Sequence, residues 1–174
     1  MGAWGLADTQ DFLTAIDDLV ADGTADPDRL AVTGYSYGGY MTAWLTTRTG
    51  RFKAAVPGGC VSDLTSMAGT SDIGFELKTY ECAGGDLAAQ SPITYVGEVT
   101  TPTLILHGEN DDRCPIGQSE QWFAALREQR VPVRLVRYPG ASHLFILNGR
   151  PSHRYDYNER IMAWLEQWIS ASPS

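Results

Sequence analysis

Histidine is scarce in this sequence: His107, His143 and His153 are the only three in 174 residues, so any proton transfer by an imidazole must draw on one of them. Cysteine is equally scarce. Cys60, Cys82 and Cys114 are odd in number and widely spaced, which excludes a dense disulfide framework and offers no metal-ligand spacing. Reduced thiols are therefore expected, with no metal and no cofactor. Positive charge is short as well: 13 Lys and Arg against 21 Asp and Glu give a formal net charge of −8, and no basic run concentrates what there is. That balance argues against nucleic acid and against an anionic membrane surface as partners. No stretch approaches the ~18 consecutive apolar residues of a membrane span. The opening Met1-Gly2-Ala3-Trp4-Gly5 has neither a basic nor an apolar signal region, so no signal peptide is expected and a cytoplasmic location follows, although a fragment's start says nothing about its parent. There is no internal repeat, and the only low-complexity segment is the closing Ser170-Ala171-Ser172-Pro173-Ser174.

What is present is the composition of one ordinary globular domain, 43% hydrophobic and 20% charged, in a length that can bury a core. Hydrophobic patterning predicts strands near residues 29–34, 53–57, 103–107 and 133–138. Helices alternate with them. The first carries Phe12, Leu13, Ile16, Leu19 and Val20 on one face and ends at Asp22-Gly23; a second runs over about 37–47. A third spans about 116–130, with Trp122, Phe123 and Leu126 inward, and the last covers about 155–170, with Ile161, Trp164, Leu165, Trp168 and Ile169 on its apolar stripe. Strand alternating with helix implies an α/β fold whose parallel sheet is covered on both faces. Residues 58–91, rich in Gly, Ser, Thr and Asp, read as one long irregular stretch, and such loops in compact domains are usually functional or mobile.

The chemistry concentrates at Gly34-Tyr35-Ser36-Tyr37-Gly38-Gly39, which follows the apolar run Leu30-Ala31-Val32-Thr33 and precedes a helix-like stretch. Strand, Gly-x-Ser-x-Gly, helix is the context of a nucleophile elbow, a sharp turn that holds the serine hydroxyl clear of the sheet. Side chains at Gly34 and Gly38 are expected to collide across that turn. The following helix would aim its N-terminal amides, that of Tyr37 first, at an oxyanion. In hydrolases of this architecture the partners follow in the order serine, acid, histidine. His107 ends a strand before any acid loop and reads as a packed or capping residue, a bystander to catalysis. His153 reads as a solvated helix-start residue. His143 lies in the loop after the 133–138 strand, at the strand end where α/β folds collect reactive groups, and is the expected base. The acid is expected from Glu109-Asn110-Asp111-Asp112, where spacing does not separate Asp111 from Asp112; Asp63, beyond the 53–57 strand, is a rival. Cys114, hemmed in by Pro115 and the acid loop, is not expected to act as a nucleophile.

These segments resemble the C-terminal part of the catalytic domain of the prolyl oligopeptidase family of serine peptidases, most of all its bacterial acylaminoacyl and dipeptidyl peptidase branch. The matching residues are Trp4-Gly5 with Asp8 and Asp11, Asp26-Pro27-Asp28-Arg29-Leu30, Gly34 through Met41, and Phe52-Lys53-Ala54-Ala55-Val56. Further on they are Leu106 through Arg113, Tyr138-Pro139 with His143, and Glu159-Arg160-Ile161 to Trp164-Leu165. The resemblance covers nearly the whole chain. It implies the C-terminal half of an α/β-hydrolase fold, about four parallel strands flanked by helices over residues 1–174. The propeller and the first half of the sheet that family members carry would lie outside these residues. It implies Asp111 as the acid, in a Ser36–His143–Asp111 triad with the Tyr37 amide in the oxyanion hole. It also implies that the second oxyanion donor comes from the upstream half. The side chain before the scissile bond would be walled by Val61, Leu64 and Met67, with Tyr37 opposite, and Arg113 would hold a substrate carbonyl unless a loop carboxylate claims it. Peptides are the implied substrates, with esters as the alternative. An unpaired strand at residues 30–33 would favour a homodimer or pairing with an N-terminal fragment, and a catalytically impaired module is the remaining reading.

Overall fold

The computed structural model describes residues 2, 4–82 and 85–170. Its centre is a four-stranded parallel sheet in the order β1-β2-β3-β4, with β1 at Ala31–Tyr35, β2 at Ala54–Gly58, β3 at Thr103–Gly108 and β4 at Val133–Tyr138. β1 lies beside β2 with Ala31 opposite Ala54, and β3 lies beside β4 with Thr103 opposite Val133. The two inner strands are buried along their whole length, whereas β1 and β4 are only partly covered. This burial follows from residue type: Ala-Ala-Val and Leu-Ile-Leu can face apolar layers on both sides.

Helices supply those layers. α1 (Ala7–Ala21) and α2 (Tyr37–Thr46) precede α3 (Leu64–Thr70) and the short α4 (Gly74–Glu76); α5 (Gly117–Glu128), the short α6 (Phe145–Asn148) and α7 (Pro151–Ile169) complete the set. Period-two alternation sorts the sheet. Ala54, Val56, Leu104 and Leu106 face α7 through Tyr157 and Trp164, while Ile105 faces α5 through Trp122 and Leu126, together with Ala43 of α2. A third cluster joins α1, α2 and α3 through Tyr40, Trp44, Leu64 and Met67. No described helix is long and apolar enough to cross a membrane.

Three details differ from the sequence-based expectation. Residues 58–91 are not one irregular stretch: α3, α4 and a π-turn over Leu77–Glu81 occupy the middle of it. Asp63 starts α3 by accepting the Thr65 amide at 2.9 Å, a side-chain cap that the loop-like composition conceals. α7 begins at Pro151, four residues early, because proline at the first helical position supplies the required φ and lacks only an amide that would have no partner there. Of the apolar residues expected on the inner face of α1, Leu13 and Ile16 pack on the core, whereas Phe12 is 46% and Leu19 44% exposed.

Candidate active site

Ser36 sits between the end of β1 and the start of α2 with φ 62° and ψ −118°, a left-handed backbone unusual for a residue with a side chain. Two bonds hold it there: its amide donates to the Gly58 carbonyl at 2.9 Å, and its carbonyl accepts from the Tyr40 amide at 2.9 Å. A Cβ at Gly34 would lie 2.4 Å from the Gly38 carbonyl oxygen, so that position admits only glycine. Gly38 itself opens onto free space, contrary to the expectation that both glycines relieve one collision. The second glycine that the crossing requires is Gly39, whose Cβ would lie 2.3 Å from the Gly58 carbonyl oxygen where α2 passes over β2.

The loops after β3 and β4 bring the other groups to the same sheet edge. His143 places Nε2 2.9 Å from Ser36 Oγ and Nδ1 2.7 Å from Asp111 Oδ2. A carboxylate only accepts, so Nδ1 carries the proton and the Nε2 lone pair faces the serine hydroxyl. Asp111 is 4% exposed, and its Oδ1 accepts the amides of Arg113 at 3.0 Å and Cys114 at 2.8 Å. Burial disfavours its charge, but hydrogen bonds from His107, His143 and the Cys114 amide outweigh that cost and hold its pKa at about 2. The base loop is fixed in turn. The Tyr35 hydroxyl donates to the His143 carbonyl at 2.7 Å, and the Ala141 carbonyl accepts the Asn110 amide at 2.9 Å, tying the base loop to the acid loop.

A left-handed serine between strand and helix, its hydroxyl on an imidazole whose far nitrogen is held by a buried carboxylate, is an acyl-transfer constellation. The sequence profile of the prolyl oligopeptidase family matches residues 1–172. The chain belongs to the prolyl oligopeptidase family. It is similar to the uncharacterized peptidase YuxL of Bacillus subtilis (strain 168), with 42% identity over 97% of this chain and 27% of that protein. The acylaminoacyl peptidase of Pyrococcus horikoshii superposes with a TM-score of 0.89 at 30% identity, over 98% of this chain and 29% of that one. An acylaminoacyl peptidase solved in complex with Z-Gly-Gly-Phe-chloromethyl ketone gives 0.91 at 30% identity, with the same shares covered. The chain thus spans little more than a quarter of the length of these relatives.

Within this family member the remaining candidates separate clearly. Asp63 is occupied in capping α3, and Asp112 is exposed, with its carbonyl accepting the Asp72 amide. His153 lies within α7, its ring 5.5 Å from that of Tyr138 and 6.4 Å from that of Phe145. His107 is fully buried, as a packed histidine should be, and its Nε2 lies 3.4 Å from Asp111 Oδ2. Cys114 is nearly buried beside Ser36; burial first, then the charge of Asp111, pushes its thiol up to about 12.

A cavity of about 300 Å³ opens at Ser36, lined by Tyr37, Val61 and Met67 among the expected residues. Leu64 does not reach it: as the first residue of α3 it turns into the core and is fully buried. Trp4, Ile73 and Cys114 complete the apolar wall, and Glu81 and Arg113 stand at its polar margin. Arg113 is already engaged, donating to the Asp72 carboxylate from Nε at 2.7 Å and from a terminal nitrogen at 3.3 Å. Trp4, Ile73 and Glu81 come from segments distant in sequence. The aromatic at Trp4, next to the family-like Gly5, was the one signal available for them.

Proposed function

We propose that this chain carries a serine peptidase site that cleaves short peptides by acyl transfer. The observation that carries this reading is the single imidazole of His143, hydrogen-bonded to Ser36 on one side and to the buried Asp111 on the other. Ser36 Oγ attacks the scissile carbonyl carbon as its proton passes to His143 Nε2. Asp111 keeps the ring oriented and stabilises the imidazolium that forms. The negative oxygen of the tetrahedral intermediate takes a hydrogen bond from the Tyr37 amide at the N-terminus of α2. Collapse expels the amine, which receives the proton from His143. Water then enters by the same route and releases the acid, restoring Ser36.

The apolar cavity beside Ser36 suits an apolar or aromatic side chain before the scissile bond, with Trp4, Val61, Met67 and Ile73 as its walls. The Z-Gly-Gly-Phe inhibitor on a relative of 30% identity supports that preference. Arg113 has its guanidinium on Asp72, so its role at the site is to border the cavity and not to hold a substrate carbonyl. The outer edge of β1 has no strand partner among the described residues, and we propose that it pairs either with a second copy of this chain or with an N-terminal fragment.

A fluorophosphonate probe tests the chemistry. Labelling that maps to Ser36, together with faster turnover of a phenylalanyl than of a lysyl p-nitroanilide peptide, is the expected result. Labelling with ester hydrolysis but no amide hydrolysis would make the chain an esterase. No labelling of the folded chain would overturn the reading.

A further inference from the structure

The triad does not use His107, yet this ring is wholly buried and both of its nitrogens are engaged. It occupies the penultimate position of β3, four residues before Asp111. Its Nε2 lies 2.7 Å from the Cys114 carbonyl oxygen and 3.4 Å from Asp111 Oδ2. Its Nδ1 lies 2.5 Å from the Ser119 hydroxyl of α5. A carbonyl and a carboxylate only accept, so Nε2 carries the proton, and Nδ1 accepts a hydrogen bond donated by the Ser119 hydroxyl. The ring therefore spans from α5 to the short turn that presents the acid. That turn is closed from within by Asp111 Oδ1, which accepts the Arg113 and Cys114 amides. From outside, its far end is held by the bond from His107 to the Cys114 carbonyl.

We propose that His107 is a positioning residue for the acid: it clamps the Asp111–Cys114 turn so that Oδ2 stays aligned on His143 Nδ1. This rests on the reading of Asp111 as the acid of a serine hydrolase. The clamp acts at the end of the turn that β3 does not anchor. The N–H edge near Oδ2 adds a second favourable contact on the side of the carboxylate away from solvent. A displacement of about 1 Å in such a group costs roughly 10²-fold in rate, so loss of the clamp is visible even though His107 touches neither substrate nor Ser36.

Two polar replacements separate the clamp from mere packing. The amide nitrogen of glutamine reaches the position of imidazole Nε2, whereas asparagine ends at the position of Nδ1. His107→Gln therefore keeps a donor for the Cys114 carbonyl and His107→Asn does not. The rate of fluorophosphonate labelling at Ser36 is measured for the wild type, both variants and Asp111→Asn, alongside melting temperatures. Expected are a Gln variant within about threefold of wild type and an Asn variant slowed tenfold or more, approaching Asp111→Asn. Gln and Asn variants slowed equally, in step with their melting temperatures, would reduce His107 to a packing residue and overturn the proposal. An Asn variant that labels like wild type while Asp111→Asn is slow would also overturn it and leave the triad standing. Wild-type labelling by Asp111→Asn would overturn the assignment of the acid itself. If the His107 variants do not fold, Ser119→Ala decides. It leaves the ring in place but frees its far side; a severalfold slower label supports the clamp, and an unchanged label removes it.

Discussion

Ser36 and His143 are linked directly at the reacting hydroxyl, so their loss should act on chemistry rather than on folding. Ser36→Ala and His143→Ala are each expected to lower turnover by on the order of 10⁶, since members of such a unit fail together. His153→Ala, which alters only ring packing on Tyr138 and Phe145, should retain most of the activity; assays on one activated ester compare all three. Asp111 also leaves a signature in stability. Its folded pKa of about 2 lies below the ordinary 3.8, so the stability it contributes is fully present above 3.8 and is lost as pH falls through about 2. Urea unfolding at stepped pH should show the gap between wild type and Asp111→Asn narrowing across that window, whereas a constant gap would show that the carboxylate is not stabilised as the geometry requires. The meeting of Ser36 and His143 was legible in the sequence, because elbow motif, loop order and strand ends are all local signals, whereas Asp111 came only from the family resemblance. Distinguishing Asp111 from Asp112 by spacing was not possible. The distinction is burial: one carboxylate turns under the loop onto two amides and an imidazole, while its neighbour points to solvent. His107 was legible as a buried histidine, but its bonds to Cys114 and Ser119 depend on how α5 crosses β3.

The elbow gives a sharp contrast between adjacent glycines. Gly34→Ala should cost about 1–3 kcal/mol, because the new methyl meets the rigid backbone of Gly38. Gly38→Ala should be neutral, or stabilising by up to about 1 kcal/mol, since its methyl enters open space in the first turn of α2 and alanine is the better helix former. Melting temperatures of the two variants check the pair, and equal losses would show that the turn is crowded from both sides. Long elements were the most legible. α1, α5 and α7 announce themselves by apolar periodicity, and the buried faces of β2 and β3 by unbroken apolar runs. α3 escaped because seven residues hold too few turns to establish a period, and its Gly, Ser and Thr content resembles a loop. Its cap at Asp63, with Leu64 and Met67 three apart, was the available clue. The Pro151 start of α7 was likewise written in the sequence, since proline is favoured at the first helical position.

At the scale of the whole molecule, β1 is the strand whose surroundings fit its sequence least. Ala31 and Val32 pack partly into two different clusters, yet the outer edge of the strand has no partner among the described residues and carries no lysine or proline to blunt it. Sedimentation of the 174-residue chain over a concentration series should therefore show self-association that grows with concentration. A clean monomer at high concentration, with slow amide exchange along residues 31–35, would mean that the edge is covered. The strand order also bears on timing. Each strand pairs with the next one in the chain, but residues 36–53, 59–102 and 109–132 lie between successive strands, so every parallel pairing closes a long crossover. The three reactive groups leave the ends of β1, β3 and β4, and Ser36 and His143 stand 107 positions apart. Helices and neighbouring strands can therefore assemble while the serine is still inert. The nucleophile gains its partner only when the sheet has closed from first strand to last, so the reactivity of Ser36 marks the completion of folding.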